Sequence, residues 1–391
     1  MNEPVFLIGA DRVGAIGQGT ASDFTAGGRR DRECEDLLRH GLDLGMNFID
    51  TAPAYEDGHA EEIVGRAIRG RRADAFVATK FSARDAAPAA VVRSAEASLR
   101  RLGTDRIDLL QIHWPSVDVP LAETLGAMVE LVREGKVRYI GLGNSDPREI
   151  SEAICLLPHG LLVSTQQEFS LAERSIETSL LPTCHATELA LIAYSPLNRG
   201  RLASDPRRDL LKAIGKRHDA TPEMIALAWL RSKPGVLPIP KAARLTHLEA
   251  CARAASIELR PGEIACLEDA FRPMLLPVPT EEIELASSEQ HPTYTNLHDA
   301  IENPLGIRPG PTELAERLRA GELLKPVRVR PIDGDPTRRA RYALLEGRVR
   351  YWAWVIAHRG REPIPAIVEA SPATPRGAAP NSGNDNERKA S

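Results

Sequence analysis

At 391 residues, the chain is long enough for one large domain of about 250 to 300 residues and a smaller second one. Fifty basic against fifty-four acidic side chains leave a net charge of −4, so there is no global positive field of the kind nucleic-acid binders carry. Five scattered cysteines (Cys34, Cys155, Cys184, Cys251, Cys266), none in a C-x-x-C pair, suggest neither a disulfide framework nor a zinc site and predict a reduced, cytoplasmic protein. The first twenty residues lack a basic leader segment, and no apolar run approaches the ~20 residues that span a bilayer. A soluble chain is expected.

Through the first two-thirds, short apolar runs alternate with segments of helical period. The runs are "GAIGQG", "NFID", "AFVATK", "IDLLQIHW", "VRYIGLGN", "LVSTQQE", "LALIAYS" and "GVLPIP". Between them lie stretches such as "AAVVRSAEASLRRLG" and "LAETLGAMVELVREG", each ending near a glycine that can cap a helix. Thr221 followed by Pro222 predicts a helix start, and "THLE" at Thr246 to Glu249 has the spacing of a capping box. Eight strands, each followed by a helix, predict an α/β fold, a (β/α)8 barrel. A doubly wound sheet is the rival, but no G-x-G-x-x-G opens a helix after the first strand.

In such barrels the chemistry collects where the strands end. Those ends carry, in order, Asp50 with Tyr55 just beyond, Lys80, His113, Asn144, Gln166, Tyr194 with Ser195, and Lys241. Taken singly, each has a local explanation as a turn former, a solvated terminus or a core histidine. Seven consecutive polar strand ends pointing into one cleft describe a site. A tyrosine hydroxyl is a poor acid at neutral pH, and an adjacent ammonium such as Lys80 stabilises its phenolate. Asp50 can keep that buried lysine charged, and His113 can orient a substrate oxygen. The set suits proton delivery to a carbonyl becoming an alkoxide, with the hydride brought by a nicotinamide. Asn144 and Gln166 can hold a carboxamide, Tyr194 can stack on the ring, and Lys241 lies where a phosphate could sit.

At these residues the chain resembles the aldo-keto reductases over about residues 5–271. The resemblance rests on "NFIDTAPAY", "VATKF", "LRRLGTDRIDLLQIHWP", "LVREGKVRYIGLGN", "IAYSPLNRG" and "LPIPKAAR", which occur in the family's order. It implies NADPH-dependent reduction of an aldehyde or ketone, or oxidation of an alcohol or aldose. The implied catalytic residues are Tyr55 as general acid/base, Lys80 and Asp50 as the pair that lowers its pKa, and His113 as the oxyanion partner. The implied cofactor residues are Thr20, Asn144, Gln166, Tyr194, Ser195, Leu197, Lys241 and Arg244, with the last cation and Lys241 favouring a 2′-phosphate. Two departures weaken the cofactor grip. Gly143 stands where the family usually has serine, and Ala250 and Cys251 stand where it usually has the adenine-holding glutamate and asparagine.

The remaining third reads differently. Residues 1–272 are expected to form the barrel, and "PMLLPVP" at 273–279 a proline-stiffened linker. A second domain should then occupy 280–370. There the pattern predicts a helix from Thr312, strands at Val327 to Pro331, Tyr342 to Leu345 and around Ala366, and a helix before the last strand. Trp352 and Trp354, two apart, face different sides of that helix. One should be core and the other free to pack on the barrel or a partner. This segment resembles the N-terminal domain of ParB, a small α+β, sulfiredoxin-like fold, through "ELAERLRAGELLKPVRVRPI" and "YALLEGRVRYWAW". That resemblance implies a nucleotide ligand, although the usual G-E-R-R reads Gly347, Arg348, Val349, Arg350 here. The alternative function it opens is a nicotinamide-sensing regulatory protein with a nucleotide- or phosphate-binding module. No helix-turn-helix follows, so specific DNA binding is not expected, and the tail at 371–391 is expected to be disordered.

Overall fold

The computed structural model describes residues 5–21, 29–285, 294–307, 309–322, 324–332 and 339–368. The tail expected to be disordered lies outside the described residues.

The chain opens with a hairpin, β1 (Val5–Ile8) and β2 (Asp11–Gly14), paired antiparallel. Ile8 and Val13 drop into an apolar cluster with Phe48, Phe76, Leu109 and Val163, most of which stand near the beginnings of their strands. The hairpin therefore stoppers the barrel at the end away from the strand termini.

Eight strands follow: β3 (Gln18–Gly19), β4 (Phe48–Asp50), β5 (Phe76–Phe81), β6 (Ile107–Ile112), β7 (Val137–Gly143), β8 (Leu162–Glu168), β9 (Ala190–Tyr194) and β10 (Val236–Pro238). They pair in parallel in chain order. Gly17 N donates to Pro238 O and Gly19 N to Pro240 O, both at 3.0 Å, joining the first strand to the last. The eight-stranded parallel sheet is thus curled and closed as the alternation predicts. The closure requires a glycine, because a Cβ on Gly19 would come within 2.9 Å of Ile239 O. The helices interleaved with these strands are α1 (Arg29–Asp43), α2 (His59–Ala67), α3 (Pro88–Leu102), α4 (Leu121–Arg133), α5 (Pro147–Leu156), α6 (Leu180–Ala186), α7 (Arg208–Gly215), α8 (Pro222–Arg231), α9 (Leu245–Ala254) and α10 (Pro261–Ala270). Their apolar faces and the outward side chains of the sheet share one large core.

Two starts are sharply specified. Asp146 caps α5 in a reciprocal capping box with Glu149 and Pro147 at the first position, and Thr221 caps α8 through Met224 N at 3.3 Å. The capping box expected at Thr246 does not form. α9 begins at Leu245 with Arg244 as its extended N-cap residue, so Thr246 already lies inside the helix.

The last third folds around its own sheet, ordered β11-β15-β13-β14-β12. Its strands are β11 (Leu275–Val278), β12 (Ile283–Glu284), β13 (Val327–Pro331), β14 (Tyr342–Glu346) and β15 (Ile364–Val368), and its helices are α11 (Leu297–Glu302), α12 (Pro311–Arg319) and α13 (Arg348–His358). The stretch read as a linker is the correction here. Leu275–Val278 pairs antiparallel with β15 and belongs to this second sheet, because a single proline, Pro277, does not prevent an edge strand from forming. Trp352 is buried and donates to Tyr294 O at 3.2 Å. Trp354, expected to reach the barrel or a partner, instead donates to Glu362 O at 3.0 Å and packs on His358.

The two sheets meet at a buried ion pair. Arg328 of β13 donates to the Glu173 carboxylate in the loop after β8 and, at 3.2 Å, to Ala172 O. Lys325 lies 3.4 Å from the same carboxylate.

Candidate active site

Asp50 closes β4, and Lys80 and Gln111 lie side by side in β5 and β6. All three are fully buried. Lys80 Nζ donates to Asp50 Oδ2 at 2.7 Å, to Thr51 O at 3.0 Å and to Tyr55 Oη at 3.3 Å. The other Asp50 oxygen accepts from Gln166 Nε2 at 2.7 Å and Gln111 Nε2 at 3.4 Å. Burial alone would drive the ammonium to release its proton, but the Asp50 charge and Tyr55 outweigh it and hold the Lys80 pKa above its ordinary value. The lysine stays charged.

Tyr55 stands five residues beyond Asp50, carried back over the strand end by the turn at Ala52. Its ring lies edge-on to His113, centroids 5.9 Å apart, with Lys80 Nζ 5.1 Å from its centre. From the sequence, Lys80 and Asp50 are expected to lower the tyrosine pKa. The net direction is upward: burial raises it most, Lys80 lowers it, and Asp50 raises it by cancelling part of the ammonium's field. Tyr55 is therefore a protonated donor across neutral pH, and Lys80 limits how weak an acid it becomes.

His113 follows β6, and burial with the nearby Lys80 lowers its pKa to about 4. It is a neutral imidazole at working pH, able to donate a hydrogen bond without carrying charge. The unfolded chain takes up a proton near pH 6.5, so the native state loses stability as pH falls from about 6.5 to 4. Substituting His113→Asn should remove that part of the acid sensitivity. Unfolding midpoints measured across this window check it, and an unchanged slope would argue against a buried neutral His113.

A second group of side chains lies beside the first. Asn144, at the end of β7, donates to His113 O at 2.9 Å and accepts from Tyr194 Oη at 2.9 Å. Asn144 and Ser195 both adopt left-handed backbone, with φ of 56° and 50°, a conformation more often kept where geometry is under demand. A Cβ on Gly143 would fall 2.6 Å from Ile112 O, so these strand ends approach more closely than a serine would allow. Thr20 is buried with its Oγ1 donating to Asp50 O at 3.0 Å. Burial raises the Tyr194 pKa, with Glu168 and Glu346 adding to it and Arg199 opposing.

Leu197 packs half-buried against the large core, and Lys241 and Arg244 follow β10 where α9 begins. Asp50 gathers Lys80, Gln111 and Gln166 into one hydrogen-bonded centre, while Ser195 and Leu197 lie just past the end of β9. Cys251 faces the core, where burial pushes its thiol up to about 12, and offers nothing to an adenine. Gln111 escaped the sequence reading. Its signal was a polar residue two positions before the strand-end His113, in register with Lys80.

The arrangement is an acid with a tunable proton, a neutral hydrogen-bond donor and a positively charged buried support, all at the mouth of one barrel. A model of the aldo/keto reductase family matches residues 15–271. The chain belongs to that family. Methylglyoxal reductase YeaE of Escherichia coli K12 is 37% identical over 260 residues, spanning 66% of this chain and 90% of that protein. An aldo/keto reductase from Klebsiella pneumoniae, crystallised with NADP and acetate, matches with a TM-score of 0.65 at 37% identity, covering 69% of this chain and 96% of that one. A thermostable aldo-keto reductase crystallised with the inhibitor epalrestat gives 0.63 at 38% identity, covering 68% and 98%. The aldo/keto reductase match ends at the barrel, and the second sheet lies beyond it.

Proposed function

We propose that the protein is an NADP(H)-dependent oxidoreductase that reduces an aldehyde or ketone, or runs the reverse oxidation of an alcohol or aldose. The observation that carries this reading is the single network joining Asp50, Lys80 and Tyr55, with His113 against the Tyr55 ring. The nicotinamide supplies hydride when bound. Tyr55 delivers the proton to the nascent alkoxide, Lys80 held by Asp50 stabilises the tyrosinate left behind, and His113 donates to the same oxygen. Asn144, Gln166 and Tyr194 are assigned to the nicotinamide, with Thr20, Ser195 and Leu197 around the cofactor. Purified protein with NADPH and a panel of aldehydes that includes methylglyoxal tests it through loss of NADPH absorbance. No turnover on any of them would sink it.

Lys241 and the exposed Arg244 are assigned to a 2′-phosphate. Arg244→Ala is expected to raise the Kd for NADPH about tenfold and leave that for NADH unchanged, because a charge-assisted contact to phosphate contributes ~1.5 kcal/mol. Fluorescence titration with both cofactors measures this, and an equal loss for both would reject the assignment.

The described residues between 280 and 370, together with β11, form a ParB-like, sulfiredoxin-like module on this reading, in a cytoplasmic protein whose five cysteines are all free. Among the described residues no helix is long and apolar enough to cross a membrane. The second functional reading, a nicotinamide sensor with a nucleotide-binding module, has less support. The Arg350 guanidinium is directed to Lys325 O, Pro326 O and Glu346, so it is committed within the module. Calorimetry with CTP, ATP and ADP decides between a nucleotide module and a structural one.

A further inference from the structure

The exit of β8 is shared by the two sheets. On the barrel side it fixes the residues assigned to the nicotinamide: Asn144 N donates to Gln166 O at 2.9 Å, and Phe169 N donates to Tyr194 O at 3.3 Å. Between those two bonds, Gln167 Nε2 donates to Ser145 O at 2.8 Å. A few residues further on, Ser170 N donates to Glu173 O at 3.0 Å and the Glu173 carboxylate accepts from Ser175 N at 3.1 Å. The loop is thus folded around Glu173.

From the other side, Arg328 grips both the Glu173 carboxylate and Ala172 O. Both side chains are almost wholly shielded, 5% and 3% exposed, so no solvent replaces a lost partner. The Arg328 strand is itself braced. β13 lies between β14 and β15, and Arg350 donates at 2.8 Å to Lys325 O and to Pro326 O just ahead of it. A third contact links this region to the loop that starts at Ser195: Arg199 reaches Glu168, the last residue of β8, at 3.3 Å.

We propose that Arg328 is a positioning residue for the cofactor side of the barrel mouth, and that the C-terminal module is a clamp that slows the release of NADP(H). The inference rests on the nicotinamide assignment made above. Its chemistry is local: a guanidinium fixed in a second sheet holds the loop that continues β8, and β8 holds Asn144 and Tyr194. The clamp reaches the proton-transfer residues only through β8, whose Gln166 donates to Asp50 at 2.7 Å.

Stopped-flow displacement of NADPH from the full chain tests this. In Arg328→Met the dissociation rate should rise roughly five- to tenfold, the KM for NADPH should rise with it, and the deuterium isotope effect on hydride transfer should persist. Arg328→Lys should recover part of the slow release. Because Arg328→Met leaves the buried Glu173 carboxylate with only Lys325 and Ser175 as partners and can unfold the loop, the double variant Arg328→Met/Glu173→Leu provides the control. It should regain thermal stability while release stays fast. If either folded methionine variant releases NADPH at the wild-type rate, the clamp is overturned and the cofactor reading stands. If the wild-type chain binds no NADPH, the cofactor reading fails and the clamp with it.

Discussion

Replacing Tyr55 by phenylalanine is expected to lower turnover of an aldehyde with NADPH by about three orders of magnitude, with cofactor affinity and stability nearly unchanged. In the proposed mechanism the hydroxyl carries the proton. It sits 3.3 Å from Lys80 Nζ, and burial keeps it protonated through neutral pH. The ring does the packing. Its edge-on contact with His113 and its place beside the Lys80 ammonium persist in phenylalanine, so a collapse of activity cannot be ascribed to a collapsed loop. Steady-state kinetics beside a fluorescence titration of NADPH separates the two. A Tyr55→Phe enzyme that turns over at the wild-type rate would remove Tyr55 as the proton donor.

Asp50→Asn should be the more damaging change for the fold. The carboxylate takes bonds from Lys80, Gln166 and Gln111, and an asparagine of the same shape can accept at only one of its two positions. Its amide nitrogen would face a donor, and the Lys80 ammonium would be left buried without its counter-charge. Breaking such a pair costs about 3 to 5 kcal/mol. The lysine can escape part of this by losing its proton, but a neutral Lys80 no longer supports the tyrosinate. Turnover should therefore fall by about two orders of magnitude or more as well. Thermal unfolding and kinetics on the same preparation check both halves. Full stability with full activity would mean that the Lys80 charge is set elsewhere.

The barrel was readable because its pattern is repeated eight times, and each repeat needs only local signals: a buried run, a helical period and a capping glycine. The N-terminal hairpin was missed for the opposite reason. Its four-residue strands carry one buried residue each, Ile8 and Val13, and a single inward residue makes no period. β11 reads as a linker because Pro277 within it and Pro273 and Pro279 beside it suggest a stiffened connection, while its place at a sheet edge is not local. The α9 capping box failed by two residues, since an arginine in extended backbone could start the helix earlier than the threonine.

The site divides in the same way. Asp50, Lys80 and His113 are legible as polar residues at the ends of apolar strands, and Tyr55 follows the first of them by five residues. Gln111 is not legible on that basis, since its part in the network depends on which residue β5 places beside it.

What the sequence by itself determined is the set of groups: eight strands, the polar residues at their ends, and a second αβ segment after the barrel. Side-chain periodicity and residue chemistry are local properties, so they can be read without coordinates. The tertiary structure decided the balances that depend on distance and burial. It made Tyr55 a weaker acid than its lysine neighbour suggested, made His113 neutral, and committed the Arg350 guanidinium to the backbone just ahead of β13. It also set Arg328 against Glu173, residues 155 positions apart. No local signal could join them, because the contact exists only once two separately folded sheets have met.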